Sequence, residues 1–398
     1  MEEPLDMAES HLPYRIALVA NTDWYLYNFR SGLANHLKSL GFEVHVICPD
    51  GPFRLRLESL GFTWHQLDLN RGAANPLSEW RAYRRLRKIY LTIRPDLVHH
   101  FTLQCVVWGT FAAQSAGVGA IVNALAGMGS LFHGETFFAH LLRRPVTSLL
   151  RRALRSPNTQ TIFQNPDDLN ACVHYFSLSP ESVHLIRGSG VDVTKFSPVE
   201  RSLLNPNILF VGRLLRDKGI LDFISAASSL RNTHPNWSFQ IAGTPDPGNP
   251  SSLSANDVET LAAKNPNVSF LGHKEDMVAL LASAHLVVLP SRYGEGVPRS
   301  LIEAAASGLP LIATDHPGCR EIVNHGENGY LVPKGDTQIL ASRIEDALLD
   351  EPKWRSFSRC SRLLAEREFS SVSVFQATIQ VYSRLVPNAN WHLNSELL

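Results

Sequence analysis

Short apolar runs rich in β-branched residues recur along this chain, and longer stretches with helical spacing separate them. Ile16–Ala20, Val44–Cys48, Leu97–Phe101, Ala120–Ala124 and Thr161–Gln164 read as strands that are largely apolar rather than alternating. Such strands, spaced by helices, predict a parallel sheet covered on both faces. The pattern pauses at Arg187-Gly-Ser-Gly-Val-Asp192 and Phe196-Ser-Pro198, where two glycines and a proline punctuate the chain. It resumes with Ile208–Val211, Ser238–Ala242, Val268–Leu271, Leu286–Leu289 and Leu311–Thr314. The predicted class is α/β, with two Rossmann-like, doubly wound parallel-sheet domains facing across a cleft. The expected boundaries are a disordered arm over 1–13, an N-terminal domain over 14–187, a linker over 188–204, a second domain over 205–368, a last helix over 369–386 and a tail over 387–398. Val372, Phe375, Ile379, Tyr382 and Leu385 carry the helical spacing of that last helix, which is expected to pack on an existing domain.

Composition narrows the function classes. The 398 residues exceed what one core of about 250–300 residues holds. Lys plus Arg (37) balance Asp plus Glu (37), so the basic excess of a nucleic-acid binder is missing. Cys48, Cys105, Cys172, Cys319 and Cys360 are scattered without C-x-x-C spacing, which favours a reducing compartment over a disulfide framework or a zinc site. The acidic start Met1-Glu-Glu-Pro argues against a signal peptide, and no apolar run approaches the roughly 18 residues of a spanning helix. A cytoplasmic protein is expected.

The densest chemistry lies in Glu295-Gly-Val-Pro-Arg-Ser-Leu-Ile-Glu303, which places one carboxylate before a helix and one inside it. Pro298 suits a first helical position, and the apolar run Leu301, Ile302, Ala304, Ala305, Ala306 buries Glu303. A buried carboxylate needs hydrogen-bond donors. The segment is read as giving Glu303 no cation one turn away, so a ligand's hydroxyls are the expected donors. Glu295 is placed at the lip of the cleft, where an ordinary exposed loop carboxylate is the alternative.

A second cluster follows strand Ile208–Val211: Gly212, Arg213, Arg216, Asp217, Lys218 and Gly219, leading into a helix from Ile220. Cations at a helix N-terminus are unfavourable unless an anion answers them, which points to a phosphate-bearing ligand. A solvated basic loop with Asp217 pairing one cation fits the same residues, and both readings stay open. Gly318, Asn328 and Gly329 supply turns whose backbone N–H groups can approach a phosphate. No metal-ligand cluster is found.

Together these residues resemble glycosyltransferase family 4, which has the GT-B fold, over Arg15 to about Leu385. The resemblance implies that Arg213 and Lys218 bind the donor diphosphate, Glu303 holds the ribose hydroxyls and Glu295 contacts the sugar ring. It further implies donor contacts from Gly212, Gly296, Val297, Gly318, Asn328, Gly329 and Leu331, and a last helix that returns to the first domain. Configuration would be retained by front-face transfer, with the departing diphosphate helping to deprotonate the acceptor, no metal or other cofactor, and a nucleotide diphosphate sugar, UDP-sugar favoured, as co-substrate. One position departs from the pattern: Ala126 stands where many relatives carry histidine, with Gly127 and Gly129 left to offer backbone N–H groups.

The acceptor is expected on the first domain, at Asn21, Trp24, Tyr25 and Asn28 before a helix from Phe29, and at His100, Gly127 and Gly129. For the aromatics, covering a core edge is the alternative, and for at least one of His99 and His100 a satisfied structural histidine is the stronger reading. Arg81, Arg84, Arg85, Arg87 and Lys88 form one basic strip, and the stretch Val146–Arg155 forms another with an apolar stripe opposite its arginines. Peripheral contact with an anionic membrane, on the inner face of the plasma membrane, is one reading of them, and a helix facing its own core is the other. Asn28-Phe-Arg30, Asp96–Phe101 and Ile162–Pro166 resemble the subgroup building bacterial capsule, O-antigen and lipid-linked oligosaccharides, which implies a polyprenyl-diphosphate-linked saccharide as acceptor. A sugar-nucleotide epimerase of related fold and a non-catalytic nucleotide-sugar-binding scaffold remain alternatives.

Overall fold

The computed structural model describes residues 13–69, 76–127, 137–294 and 296–391, and of residues 137–144 the backbone alone. The chain groups into two compact units, one of Met1–Asn123, Ser156–Thr159 and Ile379–Leu398, the other of Ala124–Arg155 and Gln160–Thr378.

The first sheet has seven strands: β1 (Arg15–Val19), β2 (Glu43–Cys48), β3 (Thr63–Gln66), β4 (Leu97–Phe101), β5 (Ala120–Leu125), β6 (Thr159–Phe163) and β7 (Val183–Leu185). Its order is β3-β2-β1-β4-β5-β6-β7. Helices α1 (Ser31–Ser39), α2 (Arg54–Ser59), α3 (Pro76–Ile93), α4 (Leu103–Ala116), α5 (Phe137–Leu154) and α6 (Pro166–Phe176) lie between the strands. β1 and β4 are buried nearly throughout, as a parallel sheet with covered faces requires. They pair in parallel with Val19 opposite His100, and because sequence order reverses there, the loops after β1 and β4 flank a topological switch point.

The second sheet has six strands: β8 (Asn207–Val211), β9 (Ser238–Ala242), β10 (Val268–Gly272), β11 (Leu286–Leu289), β12 (Leu311–Thr314) and β13 (Gly329–Val332). The order β10-β9-β8-β11-β12-β13 puts its switch point between β8 and β11. Its helices are α7 (Ile220–Leu230), α8 (Ala255–Lys264), α9 (Met277–Ala282), α10 (Arg299–Ala306), α11 (Pro317–Arg320), α12 (Thr337–Leu348) and α13 (Glu351–Glu368), and α14 (Ser371–Leu385) ends the succession. One core joins the apolar strand faces, among them Phe210, Phe239, Val288 and Ile312, to Phe223, Leu301 and Ile344 of the helices.

Three local expectations change. The helix after β1 starts at Asp23 rather than Phe29, and passes through a π-helical turn, Leu26–Arg30, before α1. Pro298 is the N-cap of α10, one position earlier than expected. Val372 faces solvent, and the buried stripe of α14 is Val374, Thr378, Ile379, Val381 and Tyr382.

Candidate functional site

The loops after β8 and β11 meet at the switch point of the six-stranded sheet. Gly219 (φ 75°) ends the β8 loop so close to the next strand's exit that a Cβ would collide with the Pro290 carbonyl. The Arg292 N–H donates to the Asp217 carbonyl at 2.7 Å and Ser291 Oγ to the same oxygen at 3.3 Å. Arg292 then grips the buried Asp222 of α7 with two bonds, Nε to Oδ2 at 2.7 Å and Nη2 to Oδ1 at 2.5 Å. This fastening was not anticipated, although an aspartate inside the apolar start Ile220-Leu-Asp-Phe-Ile signals a buried acid in need of a partner.

The cations are held individually. Arg213, 42% exposed, ion-pairs Asp246 at 2.7 Å, and Arg216 pairs Asp257 at 3.3 Å, so the two arginines are answered by Asp246 and Asp257 rather than by Asp217. Lys218 is half-buried in a 3-10 turn, Arg216–Lys218. No side chain caps α7 at Gly219, which leaves the first-turn N–H groups of that helix beside Lys218. Gly212 follows β8 directly, its N–H bonded to the Ala242 carbonyl at 3.0 Å.

Glu303 is buried as expected, with 10% of its side chain exposed, but it has a cation. Arg299, one turn earlier on α10, donates from Nε to Oε1 at 2.7 Å, which corrects the expectation of no cation within a turn. One carboxylate oxygen is thus bound by protein, so a ligand diol would complete the shell rather than supply it. Glu295 lies outside the described residues. Val297 is buried and its N–H donates to Gln164 Oε1 at 3.2 Å, with Gly296 packed beside the same amide.

The remaining donor candidates are structurally committed to different degrees. Gly318 is buried in α11. The Asn328 side chain accepts from the Asn324 N–H at 2.8 Å and donates to the Ile322 carbonyl at 2.9 Å, so it shapes its own turn. Gly329 opens β13, where a Cβ would strike the Leu311 carbonyl of β12. The Leu331 N–H is bonded to His325 Nδ1 at 3.2 Å.

In the first unit, Thr22 Oγ1 accepts from the Tyr25 N–H at 3.1 Å, and the buried Asp23 accepts from the N–H groups of Trp24 and Phe53 at 2.7 and 2.6 Å. Asn21 is half-buried. Trp24 is exposed and set edge-on to Phe29, on which Tyr25 stacks at 5.1 Å. Asn28 spends its amide N–H on the Trp24 carbonyl at 2.9 Å. His100 is a correction: it is fully buried, with Nε2 3.0 Å from Tyr90 Oη and Nδ1 2.9 Å from Asn123 Oδ1, which leaves neither nitrogen for an acceptor. Burial lowers its pKa to about 4. Gly127 has φ 108°, and Gly129 lies outside the described residues. Among the described residues no three His, Cys, Asp or Glu side chains form a metal-ligand set, and no helix is long and apolar enough to cross a membrane.

Solved structures sharing this architecture include a glycosyltransferase from Rickettsia africae (18% identity, TM-score 0.76, covering 95% of this chain and 100% of that one). Anabaena Alr3699/HepE in complex with UDP is another (19% identity, TM-score 0.75, covering 93% and 100%). Two parallel α/β sheets with these neighbours define the class as GT-B. Family models for glycosyl transferases group 1 and glycosyl transferase 4-like proteins match residues 195–363 and 15–165, and the chain belongs to this glycosyltransferase family. Curated relatives include the N,N'-diacetylbacillosaminyl-diphospho-undecaprenol alpha-1,3-N-acetylgalactosaminyltransferase of Campylobacter jejuni, 25% identical over 94% of this chain and 100% of that protein. The UDP-Gal:alpha-D-GlcNAc-diphosphoundecaprenol alpha-1,3-galactosyltransferase of Escherichia coli is 26% identical over 74% of this chain and 77% of its own length.

Proposed function

We propose that this glycosyltransferase moves a hexose or N-acetylhexosamine, with retention, from a nucleotide diphosphate sugar, UDP-sugar favoured, to a polyprenyl-diphosphate-linked saccharide in bacterial surface polysaccharide or glycan biosynthesis. The carrying observation is that Arg213, Lys218 and Glu303 lie on the two segments flanking the switch point of the six-stranded sheet. Arg213 and Lys218 would stabilise the charge that grows on the departing diphosphate, which is an electrostatic role effective in a desolvated site. For that, Arg213 exchanges Asp246 for phosphate oxygens. Glu303, oriented by Arg299, accepts from the ribose hydroxyls through its second oxygen. The names of the Campylobacter and Escherichia relatives, both acting on diphospho-undecaprenol saccharides, support the lipid-linked acceptor.

Peripheral contact with an anionic bilayer belongs to the same reading, through α3 rather than α5. The apolar stripe of α5 turns inward, with Leu150, Ala153 and Leu154 buried. On α3 the residues Ala82, Leu86, Ile89, Tyr90 and Ile93 face the core, and Leu77, Trp80, Arg81, Arg84, Lys88 and Leu91 form the opposite stripe at helical spacing. Leu77, Trp80 and Leu91 stay 64%, 52% and 45% exposed. Aromatic and leucine side chains interleaved with cations match a bilayer interface.

Incubation with UDP-sugars and a short polyprenyl-diphosphate-linked saccharide, followed by product NMR, tests the activity. A lengthened lipid-linked product with the donor's anomeric configuration is expected. Inverted product would overturn retention, and donor conversion without acceptor would mark an epimerase.

A further inference from the structure

Among the described residues, the first unit holds a buried cation that no anion pairs. Arg30, at the end of the π-helical turn, is only 7% exposed, yet it makes no ion pair among the described residues. Its Nη2 donates to Tyr25 Oη at 3.0 Å, while its Nε is buried without a hydrogen-bond partner. Aromatic faces supply the rest of its surroundings, with the guanidinium 4.2 Å from the Phe101 ring centroid and 5.6 Å from that of Tyr25. Cation–π contact recovers only part of the several kcal/mol that desolvating a charge costs.

Its position is independent of that shortage. Phe101 is the last residue of β4, and Arg30 belongs to the segment after β1, so the guanidinium sits at the switch point of the seven-stranded sheet. Two backbone irregularities meet there: the π-helical turn itself, and Thr102, a β-branched residue at φ 71°, ψ 145° that precedes α4 without a side-chain cap. Such features persist where function requires them. The carboxylate of Glu79 is held by the Gln104 amide at 2.7 Å and does not pair with Arg30.

We propose that Arg30 is an anion-binding residue for the diphosphate of the lipid-linked acceptor, received between the π-helical turn and the start of α4. The assignment rests on the transferase reading for the identity of the acceptor. Guanidinium donors left without protein partners suit phosphate oxygens, and the surrounding rings exclude water, which strengthens the pairing.

The test is calorimetric, on the full chain saturated with UDP so that the six-stranded sheet's site is filled. Geranyl diphosphate, inorganic phosphate and geraniol are titrated into wild type, Arg30→Met and Arg30→Lys. Geranyl diphosphate is expected to bind wild type, to lose at least tenfold in Arg30→Met and less in Arg30→Lys, with UDP affinity unchanged. Equal affinity in Arg30→Met, or inorganic phosphate binding as tightly as geranyl diphosphate, would overturn the proposal. Should Arg30→Met fail to fold, hydrogen exchange on wild type decides: geranyl diphosphate should protect Leu26–Arg30 and Thr102–Val106, and absence of protection there overturns the site. Normal diphosphate binding without any sugar transfer would count against the transferase reading alone.

Discussion

Arg299 Nε lies 2.7 Å from Glu303 Oε1, one turn along the same short helix, and holds a carboxylate whose side chain is only 10% exposed. This pair makes the buried charge tolerable and leaves Oε2 as the oxygen to which the proposed ribose hydroxyls would donate.

Removing the cation should therefore be felt before any ligand binds. Arg299→Met is expected to destabilise folding by about 1–3 kcal/mol, and Glu303→Gln in that background to restore part of it, because the uncompensated charge is gone. Urea titrations of the four forms in a double-mutant cycle check this, and strictly additive effects would show that the two side chains do not cooperate.

The Arg292 grip on Asp222 should govern how the β11 loop is presented to the donor. Arg292→Ala leaves a buried carboxylate unpaired, with an expected cost of about 1–3 kcal/mol, moderated because the arginine is itself half exposed. UDP affinity should fall with it, by about tenfold. Arg292→Lys should recover stability better than affinity, since a point charge cannot reproduce the two-bond geometry. A variant with lowered stability and unchanged UDP affinity would confine the pair to folding.

Stability should decline on mild acidification. Burial holds His100 neutral down to about pH 4 and keeps His99, beside the Arg30 charge, well below its ordinary range. The unfolded chain takes up these protons near pH 6.5, so their contribution is complete above that value and is lost as pH falls toward 4, at roughly 1.4 kcal/mol per pH unit for each histidine. Denaturant midpoints across this window should show the slope, and His100→Gln should make it shallower. An identical slope in that variant would show that His100 does not contribute to it.

Much of this architecture is legible in the residues because interior parallel strands are apolar on both faces. Leu97–Phe101, Ser238–Ala242, Leu286–Leu289 and Leu311–Thr314 coincide with β4, β9, β11 and β12. The strands that escaped notice, β3, β7 and β13, all lie at sheet edges, where β3 (Thr63–Gln66) is half exposed and β13 opens on a glycine. Spacing marks the Gly212–Gly219 loop and buries Glu303, and it also contains Arg299, the partner at i−4 on the same helix. Arg30 and Asp222 were harder to read, because their partners come from β4 and from the loop after β11, distant in sequence. His100 ends a strand, which suggests a cleft, and is the structural histidine that its burial makes it, because Tyr90 of α3 reaches over to close it.

Calorimetric titration of UDP into wild type, Lys218→Ala and Glu303→Gln decides whether the β8 and β11 segments form the proposed nucleotide diphosphate clamp. Wild type should bind UDP, and each variant should lose about tenfold or more, as expected for removing a charge-assisted contact to phosphate or ribose. Wild-type affinity in both variants would contradict it.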